Sequence, residues 1–493
     1  MNYNEENEFP DLILACEEFS TEDFKNFHYF SQYEDNIIAQ LMAHGPVLIK
    51  GGRGTGKSAL LREADNRLRN SNVACGIYLS LRHLPLLRTQ GEQYEKEFIR
   101  ILSDRIQEVS MNQYEYEFAC ETDIYSLQQE LNRFSERIEK RIVLFFDDAA
   151  HIGREAGLEE FFDIFRTLSS YRISCKAAIY PGVTRFGTRF DVYNDAKVID
   201  ITRKYGQMDF EEFFYQVMVL RFEKNIRKEM FSESINPKRM ATFLGMAVLG
   251  NVRSFIRGCS LLFEDEKKVT FQKLSDVFTR LASDFFWPMM EEVKPKLGVY
   301  ESFIDSCEKL AELIYRECGG KTATSFIIHR NLVNKYSKVL EILEYVGFIS
   351  KREASRGMKS GGRGTRYAVN LCNTLEWVNT SRITNDLYDK WINSRVEDVQ
   401  FQMNSTKINS IEIPEKRESN GIEMLSLEIS KLKKSKAVPY GLSNQKIELL
   451  ESNEILTIGD LAEYTKDQLM ELPSIGEVMA ERIRNVVEQA IWM

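Results

Sequence analysis

The sequence has few of the residues that build metal centres or disulfide-stapled domains. It contains five histidines in 493 residues, and its eight cysteines are scattered singly with no C-x-x-C pair. That spacing supports neither a zinc site nor a disulfide framework, so a reducing compartment is the simple interpretation. The sequence also lacks any protease, nuclease or deaminase constellation, and we expect such chemistry to reside in another protein.

Long apolar runs are absent as well. None approaches the roughly 20 residues that a membrane-spanning helix needs, and the acidic start MNYNEENEFPDLILACEEF lacks the basic region of a signal peptide. We therefore expect a cytoplasmic protein. Its 43% hydrophobic and 28% charged residues are those of an ordinary globular chain of about three or four domains. The net charge of −9 argues against a surface that coats nucleic acid throughout, although a local basic patch is compatible with it.

One motif stands out, in the stretch GPVLIKGGRGTGKSALLREAD. A short apolar strand (46–50) leads into Gly51-x-x-x-x-Gly56-Lys57-Ser58, and an amphipathic helix (58–70) follows, which is the context of a P-loop. Glycines let successive N–H groups point at phosphate oxygens, Lys57 reaches the β and γ phosphates, and the Ser58 hydroxyl suits Mg²⁺. The sequence thus predicts an ATP·Mg²⁺ site made by Gly51, Gly52, Arg53, Gly54, Thr55, Gly56, Lys57, Ser58 and Ala59.

A second stretch supplies acidic side chains for this site. In RIVLFFDDAAHI (141–152) five apolar residues precede Asp147 and Asp148, as in a buried parallel strand that ends in carboxylates beside the phosphate loop. We expect Asp147 to hold the Mg²⁺ shell with Ser58. Asp148 either polarises the attacking water or is a solvated strand end. Aspartate reaches less far than glutamate, so we expect slow hydrolysis.

Further strands are predicted at 75–81, 175–180 and 197–201, in alternation with helices. This alternation predicts an α/β P-loop core with a five-stranded parallel sheet and ligands at the strand carboxyl ends. Between the last two strands, Arg185 and Arg189 sit in repeated T-R-F contexts. Each is a candidate arginine finger toward a neighbour's γ-phosphate, or a surface arginine that pairs locally.

With these motifs, the chain resembles AAA+ ATPases of the origin-recognition and replication-initiator type, with some likeness to STAND signalling ATPases. The resemblance also rests on FHYFSQYEDNIIAQL before the first strand and on GNVRSFIRG (250–258). It implies that Arg253 contacts the γ-phosphate from a helical lid. It also implies a small polar residue after the fourth strand, where this chain offers only Tyr180 and Thr184.

The next segments predict helices and then a basic hairpin. Helices at 300–318 and 330–349, followed by a glycine-rich hairpin at 350–371, resemble a winged-helix domain. Residues 351–366 carry a charge of +5, which suits the phosphate backbone or minor groove of duplex DNA. The expected DNA contacts are Arg330, Lys335, Lys338, Arg352, Arg356, Lys359, Arg363 and Arg366. The alternative is a protein-docking winged helix.

The chain ends in an acidic module. Its TIGDLAEYTKDQLMELPSIG stretch reads as a helix–hairpin–helix, and the whole resembles the C-terminal domain of the bacterial RNA polymerase α subunit. Residues 436–493 carry a charge of −5, and Glu477, Val478 and Met479 follow the hairpin where a DNA-binding version favours lysine. We interpret this module as a docking site for an unidentified protein, with DNA binding as the alternative.

These parts give an expected domain order: a P-loop core (1–205), an all-α lid (206–295), a winged-helix domain (296–378), a linker (379–432) and a small all-α helix–hairpin–helix domain (433–493). The favoured function is an ATPase that forms homo-oligomers and binds DNA, in mobile-element replication or antiviral defence. The alternatives are a STAND-like switch that controls an effector without DNA, and an inert scaffold, against which the intact P-loop argues.

Overall fold

The structure is a computed structural model, and it describes residues 21–83, 86, 89–150, 158–183, 186–187, 189–207, 209–265, 267–359, 361–393, 396–415, 423–434 and 441–492. Within these ranges, no helix is long and apolar enough to cross a membrane.

The first part of the chain folds around a parallel sheet. Its strands are β1 Val47–Lys50, β2 Ala74–Ser80, β3 Arg141–Ala150, β4 Ile173–Ile179 and β5 Lys197–Asp200. Their order is β2-β3-β4-β1-β5, and all four pairings are parallel. The predicted five-stranded sheet is therefore confirmed, with strand ends that differ from the expected ones by a few residues.

Helices cover both faces of this sheet, so its central strands are mostly apolar, and Ile142–Phe146 of β3 are buried at every position. On β3, Val143 and Phe145 face the side packed by α2 and α3, whereas Ile142, Leu144 and Phe146 face the opposite side. The helices of this part are α1 Thr21–Phe27, α2 Gln32–Met42, α3 Lys57–Leu68, α4 Gly91–Tyr114, α5 Ile124–Ile138, α6 Leu158–Leu168 and α7 Val192–Asp195.

A helical block follows the sheet. It comprises α8 Phe210–Phe222, α9 Pro237–Ala247, α10 Val252–Phe263, α11 Phe271–Leu281, a π-helical turn at Ala282–Phe286 and α12 Trp287–Val293. The aromatic residues of these helices lie in the same hydrophobic core as one face of the sheet, as their helical spacing indicates.

The next block, which we call the hairpin block, combines helices with a second sheet. It contains α13 Ile304–Gly320, β6 Ser325–His329, α14 Arg330–Lys335, α15 Ser337–Tyr345, β7 Ile349–Gly357, β8 Arg363–Val369 and α16 Leu371–Thr374. Strands β7 and β8 form the expected hairpin, and β8 also pairs antiparallel with β6.

The structure differs from the expected linker at 379–432. Here α17 Asn385–Ile392, β9 Val399–Phe401 and α18 Thr406–Asn409 pack onto the preceding blocks, and β9 extends the second sheet by pairing parallel with β6. Trp391 is fully buried, and Ile408 is too. Most apolar residues of these elements enter a core that other blocks build, which a local count of hydrophobicity does not reveal.

The last part has its own hydrophobic cluster. Its helices are α19 Asn444–Ser452, α20 Ile458–Glu463, α21 Lys466–Met470 and α22 Glu477–Trp492. Capping boxes begin two of them, at Thr457 with Asp460 and at Thr465 with Gln468, and these reciprocal hydrogen bonds satisfy the first N–H groups of such short helices.

Candidate nucleotide site

The P-loop joins the end of β1 to the start of α3 and depends on two glycines in left-handed conformations. Gly54 has φ +74° and Gly56 has φ +97°, values that other residues adopt only with strain. A Cβ on Gly54 would lie 2.7 Å from the Cβ of Arg253. The loop is therefore curled, and α10 approaches it closely.

Lys57 begins α3 and is nearly buried, with 5% of its surface exposed. Its Nζ donates to the carbonyls of Gly51 (2.8 Å) and Gly52 (2.9 Å), and it lies 3.5 Å from the centroid of the Tyr180 ring. Burial lowers the pKa of Lys57 to about 7, against the opposing effect of the nearby Asp148 carboxylate. The ammonium is thus held at the mouth of the loop.

Asp147 and Asp148 end the buried part of β3, next to this lysine. Asp147 is fully buried, accepts a hydrogen bond from the Tyr78 hydroxyl (2.6 Å), and accepts another from the N–H of Asp148 (2.9 Å). Such a buried carboxylate is suited to a cation ligand rather than to solvent.

Asp148 is 3% exposed, so it is a buried group and not a solvated strand end. Its φ of +52° is a left-handed conformation, which aspartate tolerates better than most residues. Oδ2 accepts from Arg82 Nε at 2.7 Å, and Oδ1 accepts from the Tyr180 hydroxyl at 3.1 Å. Both carboxylate oxygens are therefore held by donors.

The start of α10 contacts the P-loop through its backbone and its cap. The Arg253 N–H donates to the Gly54 carbonyl at 3.2 Å, and the Asn251 side chain donates to the Arg53 carbonyl. Asn251 also caps α10 by accepting from the Ser254 N–H. The GNVRSFIRG segment thus lies against the loop, as the resemblance implies.

A cavity extends from the P-loop toward the segment between α1 and α2. Its volume is about 1290 Å³, including the solvent-filled space at its open mouth. The phosphate end is lined by the loop, Lys57, Arg82 and Arg253, while the far end is lined mainly by aromatic and aliphatic side chains: Phe27, His28, Tyr29, Phe30, Tyr33, Ile37, Phe213, Val217 and Ile256. A polyanion with an aromatic base has this same division of charge.

Arg203 joins three segments at the far end of the cavity. It is 3% exposed, pairs with Glu34 and with Asp209 (3.3 Å), and stacks 3.6 Å from the Phe213 ring centroid. The two carboxylates and the aromatic face compensate the buried positive charge of this arginine. It connects the first turn of α2 to the start of α8.

The hairpin block also contacts the P-loop. The Arg53 N–H donates to the Tyr345 carbonyl at 3.5 Å, and the Tyr345 ring lies edge-on to Tyr180 with centroids 5.2 Å apart. Lys338 Nζ donates to the Gly182 carbonyl at 2.9 Å, and Arg352 donates to the Arg203 carbonyl at 3.3 Å. The end of α15 is therefore part of the surroundings of the phosphate site.

The candidate DNA contacts fall into three groups. Lys338 and Arg352 are turned toward the P-loop core, as just described. Three others pair with carboxylates: Arg356 with Glu353 (2.6 Å), Lys359 with Glu397, and Arg366 with Asp398 (2.9 Å). The remaining three, Arg330, Lys335 and Arg363, are exposed. The +5 charge of residues 351–366 is partly neutralised by acidic residues beyond 378, which the local count missed.

The structure brings together Lys57, Asp147, Asp148, Arg253 and the P-loop, all of which the sequence predicts. Arg189 is exposed on the loop after β4, while Arg185 and Thr184 lie outside the described residues. Sequence reasoning missed Tyr78, Arg82 and Arg203. Arg82 could have been found, because it follows β2, whose carboxyl end neighbours that of β3.

The residues present fit ATP and Mg²⁺. Backbone N–H groups and the Lys57 ammonium meet at the phosphate end of the cavity, and Arg53 Nη1 is a buried donor with no acceptor among the described residues. Ser58 and Asp147 offer oxygen ligands of the type that Mg²⁺ prefers. Within the described part of the chain, no cluster of three histidine, cysteine or carboxylate side chains could hold a metal.

The strand order, the P-loop after β1 and the paired aspartates at the end of β3 define an α/β P-loop core with the AAA+ fold. No family model matches the chain, and no curated protein matches it. The solved structures to which it is similar include a Walker-type ATPase, Cdc6p, an Orc1 protein, domain III of the replication initiation protein DnaA and a STAND protein.

Three of them illustrate the extent of this likeness. A Walker-type ATPase of Pyrococcus abyssi is 12% identical, covers 73% of this chain and 96% of its own, and has a TM-score of 0.41. The Aeropyrum pernix Orc1 protein in complex with DNA is 12% identical, covers 73% of this chain and 91% of its own, and has a TM-score of 0.34. The STAND protein PH0952 from Pyrococcus horikoshii, which has a tetratricopeptide repeat sensor, is 11% identical. It covers 74% of this chain and 45% of its own, and has a TM-score of 0.29. At such scores, the fold assignment rests on this chain's own geometry.

Proposed function

We propose that the chain binds ATP with Mg²⁺, hydrolyses it slowly, and assembles into a homo-oligomer that binds duplex DNA. The observation that carries the proposal is the convergence of Lys57 and Tyr180 at one end of a cavity that Arg253 also lines, with Asp148 held behind them by the Tyr180 hydroxyl. A phosphate-binding loop, a buried acid and a lid arginine at one place form the parts of a phosphoryl-transfer site.

Each residue has a role in this proposal. The P-loop N–H groups and Lys57 bind the phosphates, while Ser58 and Asp147 hold the magnesium ion. Asp148 orients the attacking water by accepting its proton or its hydrogen bond. Arg253 contacts the γ-phosphate from α10, so ATP would draw the lid onto the core. The magnesium ion supplies neutralisation of phosphate charge.

The exposed Arg189 is our candidate for the finger that completes a neighbour's site, together with Arg185. Arg189 lies on the loop between β4 and α7, and its carbonyl accepts a hydrogen bond from Arg166 of α6. An exposed arginine on such a loop can reach a second chain without disturbing the core. Hydrolysis would then depend on assembly, since each site would lack a charge when alone.

We assign the DNA contact to the exposed face of the hairpin block, which we treat as a winged-helix domain. Arg330 and Lys335 lie on α14, and Arg363 begins β8 beside the hairpin turn. Cations at such exposed positions release counterions from the phosphate backbone on binding. The ion-paired Arg356, Lys359 and Arg366 would need to exchange carboxylates for phosphates, and so contribute less.

The C-terminal unit, residues 433–493, is our candidate for protein docking. Its sequence charge of −5 over residues 436–493 disfavours DNA. Among the described residues of the unit, three large apolar side chains are exposed: Leu456 (56%), Met470 (42%) and Val478 (84%). We propose a helix–hairpin–helix module that binds a basic partner protein. The other proposed units are the core (1–205), the lid (206–295) and the winged-helix domain, which we extend from 296–378 to residue 411.

The particle mass in solution tests this proposal. Light scattering would be measured with and without ATP·Mg²⁺, each with and without duplex DNA, on wild type and on Lys57→Ala as the matched control. We expect the wild-type mass to rise with ATP and again with DNA, and the variant mass to stay constant. A wild-type particle mass that is the same with and without ATP·Mg²⁺ would overturn the assembly proposal.

A second candidate function is a STAND-like switch, which the docking of the hairpin block favours. Lys338 and Arg352 donate to carbonyls of the core rather than facing solvent. In this alternative the block is a nucleotide-controlled arm and the C-terminal unit engages an effector without DNA. A particle whose mass responds to ATP but not to DNA would support it. Mobile-element replication and antiviral defence are the proposed settings.

A further inference from the structure

Tyr180 lies directly after β4, between the two groups that the proposed chemistry needs. The residue is buried, with 8% of its surface exposed. The face of its ring lies 3.5 Å from Lys57 Nζ, and its hydroxyl donates to Asp148 Oδ1 at 3.1 Å. A single side chain therefore contacts both the phosphate-binding ammonium and the buried acid.

The ring and the hydroxyl act by different physical means. The negative face of the ring attracts the ammonium of Lys57 and favours its charged form, more strongly because the pair is removed from water. The two carbonyls of the loop hold the same ammonium from other directions. Together they fix the position from which Lys57 meets phosphate.

The hydroxyl fixes Asp148. Tyr180 holds Oδ1 while Arg82 holds Oδ2 at 2.7 Å, so the plane of the carboxylate is set by two donors on opposite oxygens. Without one donor the carboxylate can turn about its side-chain bonds, and its oxygen no longer has a defined direction. A group that orients water depends on that direction.

Tyr180 is itself oriented from the hairpin block. The Tyr345 ring meets it edge-on, at 71° between the ring planes and 5.2 Å between the centroids, which is a favourable aromatic geometry. The carbonyl of Tyr345 also accepts from the Arg53 N–H. The position of Tyr180 therefore depends on a residue 165 positions later in the chain.

We propose that Tyr180 is a positioning residue with two separable roles: its ring sets Lys57 for ATP binding, and its hydroxyl sets Asp148 for hydrolysis. The inference rests on the proposed ATPase function and adds a residue to it. The resemblance implies a small polar side chain at this position. Such a side chain has no aromatic face, whereas the ring of Tyr180 can hold the Lys57 ammonium by a cation–π contact.

Two substitutions separate the roles. Tyr180→Phe keeps the ring and its packing but removes the hydroxyl, whereas Tyr180→Leu removes both. Tyr94→Phe is the matched control, since Tyr94 is equally buried (5% exposed) and stacks on Phe98 in α4, outside the site. Equilibrium ATP affinity, kcat and thermal unfolding would be measured for all four proteins.

We expect Tyr180→Phe to bind ATP within about twofold of wild type while kcat falls by about tenfold or more, because a hydrogen bond to a charged group is lost. Tyr180→Leu should lose about tenfold in affinity as well, and Tyr94→Phe should match wild type. This split between affinity and kcat, with affinity rescued by the conservative variant, is not expected of a merely structural residue.

Specific results would overturn the inference. A Tyr180→Phe variant with wild-type kcat would refute the hydroxyl's role, and a folded Tyr180→Leu variant with wild-type affinity would refute the ring's role. Failure of the proposed function has a different signature, since wild-type protein itself would then bind no ATP.

Discussion

The N–H of Arg53, inside the P-loop, donates a hydrogen bond to the carbonyl of Tyr345, the last residue of α15. The Arg53 guanidinium also lies 5.8 Å from the centroid of the Tyr345 ring. One residue of the phosphate loop is thus attached to the block that carries the candidate DNA contacts. Any shift of the loop must either carry α15 along or break this attachment.

This attachment predicts that ATP and DNA change each other's affinity by the same factor, as linkage requires. In wild type we expect a factor of about five or more. Tyr345→Leu removes the ring between Arg53 and Tyr180 but keeps the backbone hydrogen bond, so it should reduce the factor. Tyr345→Phe keeps the ring and serves as the control. Titrations of ATP with and without DNA measure the factor, and an undiminished factor in the leucine variant would refute the coupling route.

Arg82 predicts a change in hydrolysis rate rather than in binding. Its Nε donates to Asp148 Oδ2 at 2.7 Å and is one of the two donors that fix the direction of this carboxylate. Arg82→Gln should therefore lower kcat by about three- to tenfold, a barrier change of about 1 kcal/mol, with a smaller effect on ATP affinity. Arg100→Gln, on the exposed face of α4, is the control. An unchanged or raised kcat would mean that Arg82 does not position Asp148 for the reaction.

The exposed cations of the hairpin block predict a salt dependence of DNA binding. Changing Arg330, Lys335 and Arg363 together to glutamine should lower the slope of log affinity against log salt by about three units, near one per phosphate contact. The ion-paired set of Arg356, Lys359 and Arg366, changed in the same way, should lower it less. Equal slopes for wild type and the exposed-set variant would place the DNA contact elsewhere.

His28 predicts a pH dependence of stability. Burial, aided by the nearby Arg221, lowers the pKa of His28 to about 4. Between pH 6.5 and 4 the unfolded chain binds a proton that the folded protein does not, so stability falls as the pH falls, by about 3 kcal/mol at most. Stability above pH 7 is unaffected by this group.

His28→Phe tests that dependence, since it keeps the stacking on Phe24 (ring centroids 4.2 Å apart) and removes the titration. The melting temperature of the variant should vary less than that of wild type between pH 4 and 6.5. An equal loss in both proteins would show that His28 does not titrate with a lowered pKa.

Local pattern was enough to predict the P-loop and the strands. A continuous apolar run such as Ile142–Phe146 is buried only when helices cover both faces of its strand. The glycines at 54 and 56 supply the left-handed backbone conformations that the loop needs. The partners of Asp148 were harder to predict, because Arg82 and Tyr180 come from two other strands and meet only after the sheet has formed.

The outer segments show the same contrast between local pattern and tertiary context. Lys338 and Arg352 were predicted to face DNA from local charge, yet their donors are satisfied by carbonyls more than 140 residues away in the chain. Likewise, Trp391 lies in a polar stretch and is fully buried, since the core that receives it is made by other blocks. Long-range contacts of this kind leave no local signal.

ATP binding by wild type and by Lys57→Ala tests the central claim most directly. Calorimetry in the presence of Mg²⁺ would compare these two proteins with Lys96→Ala, a control at an exposed position of α4. The account predicts saturable binding of one ATP per chain for wild type and the control. It predicts a loss of about 100-fold or more for Lys57→Ala, because the ammonium facing the phosphates is gone. Unchanged affinity in Lys57→Ala would contradict the assignment of the P-loop as the nucleotide site.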